Sequence, residues 1–169
     1  MAAKKLLRLV SGVITEVLGV VVSAGAGNDG DFPVLDATGR LDTSVMPVGI
    51  AADTYTALSS EVLAAGDYVY ILPAGTIGKA SAASGGNDAD GFVLAGVGAG
   101  VSATMYFEGR NAVVSGKTVG ARQYLSDTVP GGTTETAPVG AGKKVQLVGK
   151  AVSATSIDTE IGDYILLIA

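Results

Sequence analysis

The residues of this chain that could do chemistry fall into a few short clusters, and each stops short of a complete site. Gly116-Lys117-Thr118 has the end of a phosphate-cradling loop, in which backbone N–H groups and a lysine converge on phosphates. The first glycine of that loop belongs at position 111, which is Asn111, and no helical pattern follows. Gly96-Val97-Gly98-Ala99-Gly100 starts like a dinucleotide turn, but the third glycine belongs at 101, which is Val101. Asn87-Asp88-Ala89-Asp90-Gly91 offers alternate oxygen ligands and a glycine turn suited to Ca²⁺. The first ligand position would be Gly86, and the twelfth, where a Glu is needed, is Val97. Asp36-Ala37-Thr38-Gly39 lies near the Asp-Thr-Gly of aspartic proteases without matching it, and turn chemistry accounts for it. Asp158 and Glu160 are a carboxylate pair of the kind glycoside hydrolysis uses, with a solvated strand face as the plainer reading.

Two absences narrow the chemistry further. The chain has no His and no Cys, which removes the commonest general base, the commonest metal ligand, thiolate nucleophiles and disulfides. Its many Ser and Thr have no His to complete a triad. The expectation is a protein that is not an enzyme and needs neither metal nor cofactor.

What must position any site is a chain of 169 residues, about one domain's worth, with 11 Lys and Arg against 16 Asp and Glu. A net charge of -5 argues against nucleic acid, whose binding runs on phosphate neutralisation by a basic face. Charged residues are 16 %, where about 25 % is usual, while 48 % are hydrophobic and 25 are glycine. A chain so poor in charge and rich in small residues is not disordered, and it suggests burial against copies of itself or a large partner.

The first 27 residues carry a basic start (Lys4, Lys5, Arg8), an apolar run and the small residues Ser23 to Ala26. Arg8 and Glu16 interrupt the apolar stretch, which argues against a secretory signal. No window supplies the roughly 20 apolar residues of a membrane span without a charge or clustered glycines. Gly12 and Gly19 with many valines predict one or two strands rather than a helix. Ala24 to Asp31 reads as a Gly-rich loop or hinge, Phe32 to Asp36 as extended, and Val48 to Ser60 as lacking a clear element.

Beyond that, strand and turn signals recur at short spacing. Strands are predicted at Tyr68–Leu72, Thr76–Ala80, Gly91–Ala95, Ala103–Glu108, Ala112–Val114, Gln123–Leu125, Val145–Ser153 and Asp163–Ala169. Gly109-Arg110-Asn111 reads as a turn, and the last strand as part of the packed body. The predicted class is all-β, a compact β-barrel or jelly-roll-like domain (51–169) behind an extended N-terminal arm and hinge (1–50). The candidate docking residues of the arm are Lys4, Lys5, Arg8, Val13, Val17, Val20 and Val22, as a strand able to join another protein's sheet edge.

Several segments resemble one family, the small head-decoration or capsid cement proteins of tailed bacteriophages. They are LRLVSGVITEV, LDATGRLDTSVMPVGI, YLSDTVPGGTTETAP and VGKAVSAT, in that order along the chain. The resemblance implies a virion structural protein on the capsid exterior, made in the host cytoplasm. It also implies a homotrimer, an arm that anchors to the major capsid protein, and no catalytic residues. The alternative is a tail-fibre or head-fibre module binding a host receptor or glycan, with Tyr55, Tyr68, Tyr70, Tyr106, Tyr124 and Tyr164 available to stack on sugars. A carboxylate-only polysaccharide-degrading enzyme is a third, weaker reading.

Overall fold

A computed structural model describes residues 5–46 and 52–168. The chain divides into two units, Met1–Ala51 and Ala52–Ala169. Among the described residues there are thirteen strands and two short 3₁₀ turns, so the chain is all-β.

The first unit opens with a hairpin of its own, β1 (Lys5–Val10) and β2 (Val13–Leu18). Ser11 and Gly12 form its two-residue loop with φ of 50° and 83°, the left-handed pair that matches the twist of antiparallel strands. The arm is thus a two-stranded ribbon, the second of the two alternatives that the sequence leaves open. The Gly-rich stretch after it is a loop held by local hydrogen bonds. Gly25–Asn28 makes a 3₁₀ turn, and the Asn28 side chain accepts from Ala24 N (2.6 Å) and donates to Asp31 Oδ2 (3.0 Å). Val20 N donates to Phe32 O and Val34 N to Val20 O, both at 2.9 Å, pinning Phe32–Val34 beside the end of the hairpin.

The second unit holds two sheets. In the first the order is β3 (Thr54–Leu58), β7 (Ser102–Tyr106), β6 (Gly91–Val93), β4 (Tyr68–Ile71) and β5 (Ile77–Lys79). This sheet curls until Ser59, just past β3, forms a parallel bridge with Ile77 of β5, and Ser60 N donates to Ile77 O at 2.8 Å. The five strands therefore close into a small barrel. Strand alternation fills its inside with Leu63, Val69, Ile77, Val93, Ala103 and Met105, all buried.

The opposite face of the same strands carries Tyr68 and Phe92, which pack against the second sheet. That sheet runs β10 (Thr133–Thr134), β9 (Arg122–Leu125), β11 (Lys144–Ser153), β12 (Ser156–Thr159) and β8 (Gly109–Asn111). It contributes Leu125, Val148 and Ile157 to this outer core. Complete burial of such side chains stabilises by about 1.5–3 kcal/mol each. Gly149 sits where β11 shifts register, with φ 149°, and a Cβ there would run into the Asp158 carbonyl of β12. Only glycine lets the two strands approach so closely.

Four sequence expectations need correction. β3 lies within the stretch that had no clear element. Gly109–Asn111 is a strand rather than a turn, while 112–114 is not a strand. The last strand, β13 (Tyr164–Leu166), is outside the core: among the described residues it pairs only with Lys144–Gln146 at the start of β11, leaving Ile165 67 % and Ile168 86 % exposed.

Candidate functional site

In the hairpin, register decides which arm residues share a surface. Lys5 faces Leu18, Leu7 faces Glu16 and Leu9 faces Ile14, and these six side chains project to one face. Leu7 (74 %), Leu9 (68 %), Ile14 (71 %) and Leu18 (62 %) are highly exposed there, crossed by one ion pair from Lys5 Nζ to Glu16 Oε2 at 2.6 Å. Leu6, Arg8, Val10, Val13, Thr15 and Val17 occupy the other face, which is less exposed at Leu6, Thr15 and Val17.

The candidate docking residues are thereby split. Val13 and Val17 share the second face with Arg8, whose guanidinium lies beside Gly30. Lys5 is on the first face and already paired. Val20 belongs to the bridge with Pro33, Val22 is exposed beyond it, and Lys4 lies outside the described residues. The apolar face of Leu7, Leu9, Ile14 and Leu18 was missed. Alternation counted outward from Ser11-Gly12 would have found it.

Asp36 anchors a turn. Its Oδ1 accepts from Thr38 N (2.7 Å), Thr38 Oγ1 (2.7 Å) and Arg40 N (3.0 Å). The Arg40 N–H foremost, then the Thr38 hydroxyl, hold its carboxyl below the usual carboxylate range. Asp42 caps the 3₁₀ turn Thr43–Val45 by accepting from Ser44 N at 2.9 Å, and the bonds to Ser44 lower it as well.

In the second unit the calcium-like loop spends its carboxylates on structure. Asp88 Oδ1 accepts from Lys144 Nζ at 2.9 Å and Asp90 Oδ2 from Ile71 N at 2.8 Å. Among the described residues no three His, Cys, Asp or Glu gather to hold a metal ion. Asp158 is exposed on β12 between Arg110 and Lys150 in register, and Glu160 lies beyond the strand end in an open cleft with Asp53, Glu108 and Asp163. Gly96–Gly100 and Gly116–Thr118 are loops with no helix behind them.

Four of the six tyrosines belong to the cores rather than to a sugar-stacking surface. Tyr55 donates to Gly75 O at 2.8 Å inside the barrel. Tyr68 is fully buried with its hydroxyl 2.9 Å from Thr159 Oγ1, and burial pushes it up to about 12. Tyr70 and Tyr106 pack against the outer core, Tyr106 stacked on Phe92 at 5.7 Å. Tyr164 is exposed beneath Lys144 Nζ, 4.3 Å from the ring centroid.

One polar cluster was not visible in the sequence. Across β9 and β10, Thr133 lies opposite Leu125, which places Gln123, Thr133 and Glu135 on one face. Gln123 is completely buried. Its Oε1 accepts from Thr133 Oγ1 at 3.1 Å and its Nε2 donates to Glu135 Oε1 at 3.3 Å. Lys117 Nζ donates to Thr133 Oγ1 at 2.8 Å and Thr133 O at 3.3 Å. Partial burial lowers the Lys117 pKa against the pull of Glu135. Glu135 is itself lowered, chiefly by the Thr118 N–H at 2.6 Å.

The fold defines the chain as an all-β protein built on a closed barrel and a packed second sheet. Compared with known proteins, it matches no family model and no curated sequence.

Proposed function

We propose that this chain is a structural protein of a tailed-phage virion, one that decorates the capsid exterior and docks through its N-terminal hairpin. The carrying observation is the exposed face of Leu7, Leu9, Ile14 and Leu18. Four large apolar side chains on one small ribbon are costly to leave in water, and a packed partner removes that cost. The resemblance of the quoted segments to capsid cement proteins supports the same reading and names the partner as the major capsid protein. On this reading the Lys5–Glu16 pair keeps the docking face neutral. The protein bridges capsid subunits and turns over no substrate.

The test is binding to undecorated capsids. Leu9→Asp with Ile14→Asp places two charges in the centre of the apolar face and is expected to lower occupancy at least tenfold. Ser153→Ala, in the other unit, is expected to bind as wild type. Occupancy that the double variant leaves unchanged would refute docking through this face.

The proposed assembly is a homotrimer, supported by the resemblance and by the exposed apolar strand β13, which association would cover. Light scattering at micromolar concentration is expected to return three copies. A monomer would refute the oligomer.

A further inference from the structure

The cluster of Lys117, Gln123, Thr133 and Glu135 is more than a set of satisfied hydrogen bonds. It brings together a nucleophile, an acyl carbon and a base. The Thr133 hydroxyl is held at the Gln123 carboxamide, 3.1 Å from Oε1, and a primary amine stands 2.8 Å from that same hydroxyl oxygen. Gln123 has no exposed surface, so water does not compete for its carboxamide. We propose that Thr133 and Gln123 are a self-modification site, at which the threonine hydroxyl displaces ammonia from the glutamine side chain to leave an ester crosslink between β9 and β10.

The atoms balance without any further reactant. A rotation about the Thr133 Cβ–Oγ1 bond turns the hydroxyl hydrogen from Gln123 Oε1 toward Lys117 Nζ. In its neutral form the Lys117 amine accepts that proton as Oγ1 adds to Gln123 Cδ. The tetrahedral adduct collapses by breaking the Cδ–Nε2 bond. The Lys117 ammonium returns the proton to the departing nitrogen, and ammonia leaves. One C–O bond forms, one C–N bond breaks, and nothing is oxidised or reduced.

Each neighbour has a stated part. The partial burial of Lys117 raises the fraction of amine available as a base above that of a surface lysine. Glu135 orients the carboxamide by accepting from Nε2. The antiparallel register holds the reacting groups together continuously, as in intramolecular reactions of high effective molarity. An ester is intrinsically less stable than an amide, and the escape of ammonia into dilute solution supplies the drive. The reaction occurs once per chain and is independent of the docking role.

Intact-mass measurement of the folded full-length chain, after incubation at mildly alkaline pH, tests the proposal. The expected mass is one ammonia below that of the sequence, with peptides containing 123 and 133 joined after proteolysis. Hydroxylamine, which cleaves esters and spares amides, is expected to open the link. Thr133→Val and Gln123→Leu are expected at their full sequence masses, Thr133→Ser to restore the loss, and Lys117→Met to slow it on the order of 10²-fold. Circular dichroism of each variant confirms that the β fold is intact.

A wild-type mass that stays at the sequence value overturns the proposal and leaves a hydrogen-bond network only. A loss that persists in Thr133→Val comes from another nucleophile or another site and also overturns it. A hydroxylamine-resistant link between 117 and 123 makes the lysine the nucleophile and refutes the ester. Unslowed formation in Lys117→Met removes the base from the mechanism.

Discussion

Replacing Phe92 with alanine is expected to lower the unfolding free energy by about 3–5 kcal/mol, the range for truncating a buried aromatic side chain. Phe92 is 1 % exposed and sits where the barrel meets the second sheet, 5.7 Å from the Tyr106 ring and 6.1 Å from that of Tyr68. The ring touches neighbours that strand pairing holds in place, so the site cannot collapse to fill the space. Out of a total of about 5–15 kcal/mol for a typical domain, that loss is a large share. Urea denaturation reads it as a lower midpoint at unchanged slope. Leu58→Ala, at a side chain 55 % exposed, is the control and is expected to change stability by about 0.5 kcal/mol or less. Equal effects of the two changes would contradict the assignment of Phe92 to the packing between sheets.

Gln146→Leu is expected to be comparably damaging for a different reason. The Gln146 side chain is buried and works as a staple: Oε1 accepts from Ala89 N at 2.7 Å, and Nε2 donates to Ala89 O at 2.9 Å and Gly162 O at 3.0 Å. Leucine has similar volume but leaves one N–H and two carbonyls without that partner. At about 1–3 kcal/mol for each buried unsatisfied group, the loss is about 3 kcal/mol or more. Gln146→Glu separates the polar contribution from packing. Its ionised carboxylate faces two carbonyls, so its pKa rises in the folded state. A group raised on folding favours the folded state below its unfolded pKa and loses that contribution as pH rises. The variant is therefore expected to be more stable at mildly acidic pH than at neutral pH. A Gln146→Leu protein as stable as wild type would show that water replaces the staple.

The strands that could be read from sequence are those whose side chains differ sharply between faces or are uniformly apolar. Tyr68–Ile71, Gly91–Val93, Ser102–Tyr106 and Lys144–Ser153 are of this kind. β3 was illegible because Thr54, Tyr55, Thr56, Ala57 and Leu58 alternate with little contrast: small Ala57 points into the barrel and large Leu58 points out. β8 reads as a turn from Gly-Arg-Asn, yet Asn111 is fully buried and donates to Gly66 O at 3.0 Å. Apolarity alone placed β13 in the core, because the same side chains suit an interior and an uncovered surface. For the hairpin, residue types marked the segment as strand, but only register separates Leu9 and Ile14 from Val13 and Val17. The cluster around Gln123 unites positions 117, 123, 133 and 135 through strand pairing and a returning loop, and no local pattern announces it.

Closure of the barrel also bears on how a chain with so little charge avoids runaway cross-β growth. A sheet edge recruits other chains because its N–H and C=O groups lack partners. In the second unit the barrel joins its own ends through Ser59 and Ile77 and offers no such template. The second sheet ends at one side in β10, two residues long, and at the other in β8, three residues long, and the outlying β13 on β11 is also only three residues long. Strands that short give an incoming chain little to hold. The second unit can therefore keep apolar side chains exposed while giving other chains little strand edge on which to grow.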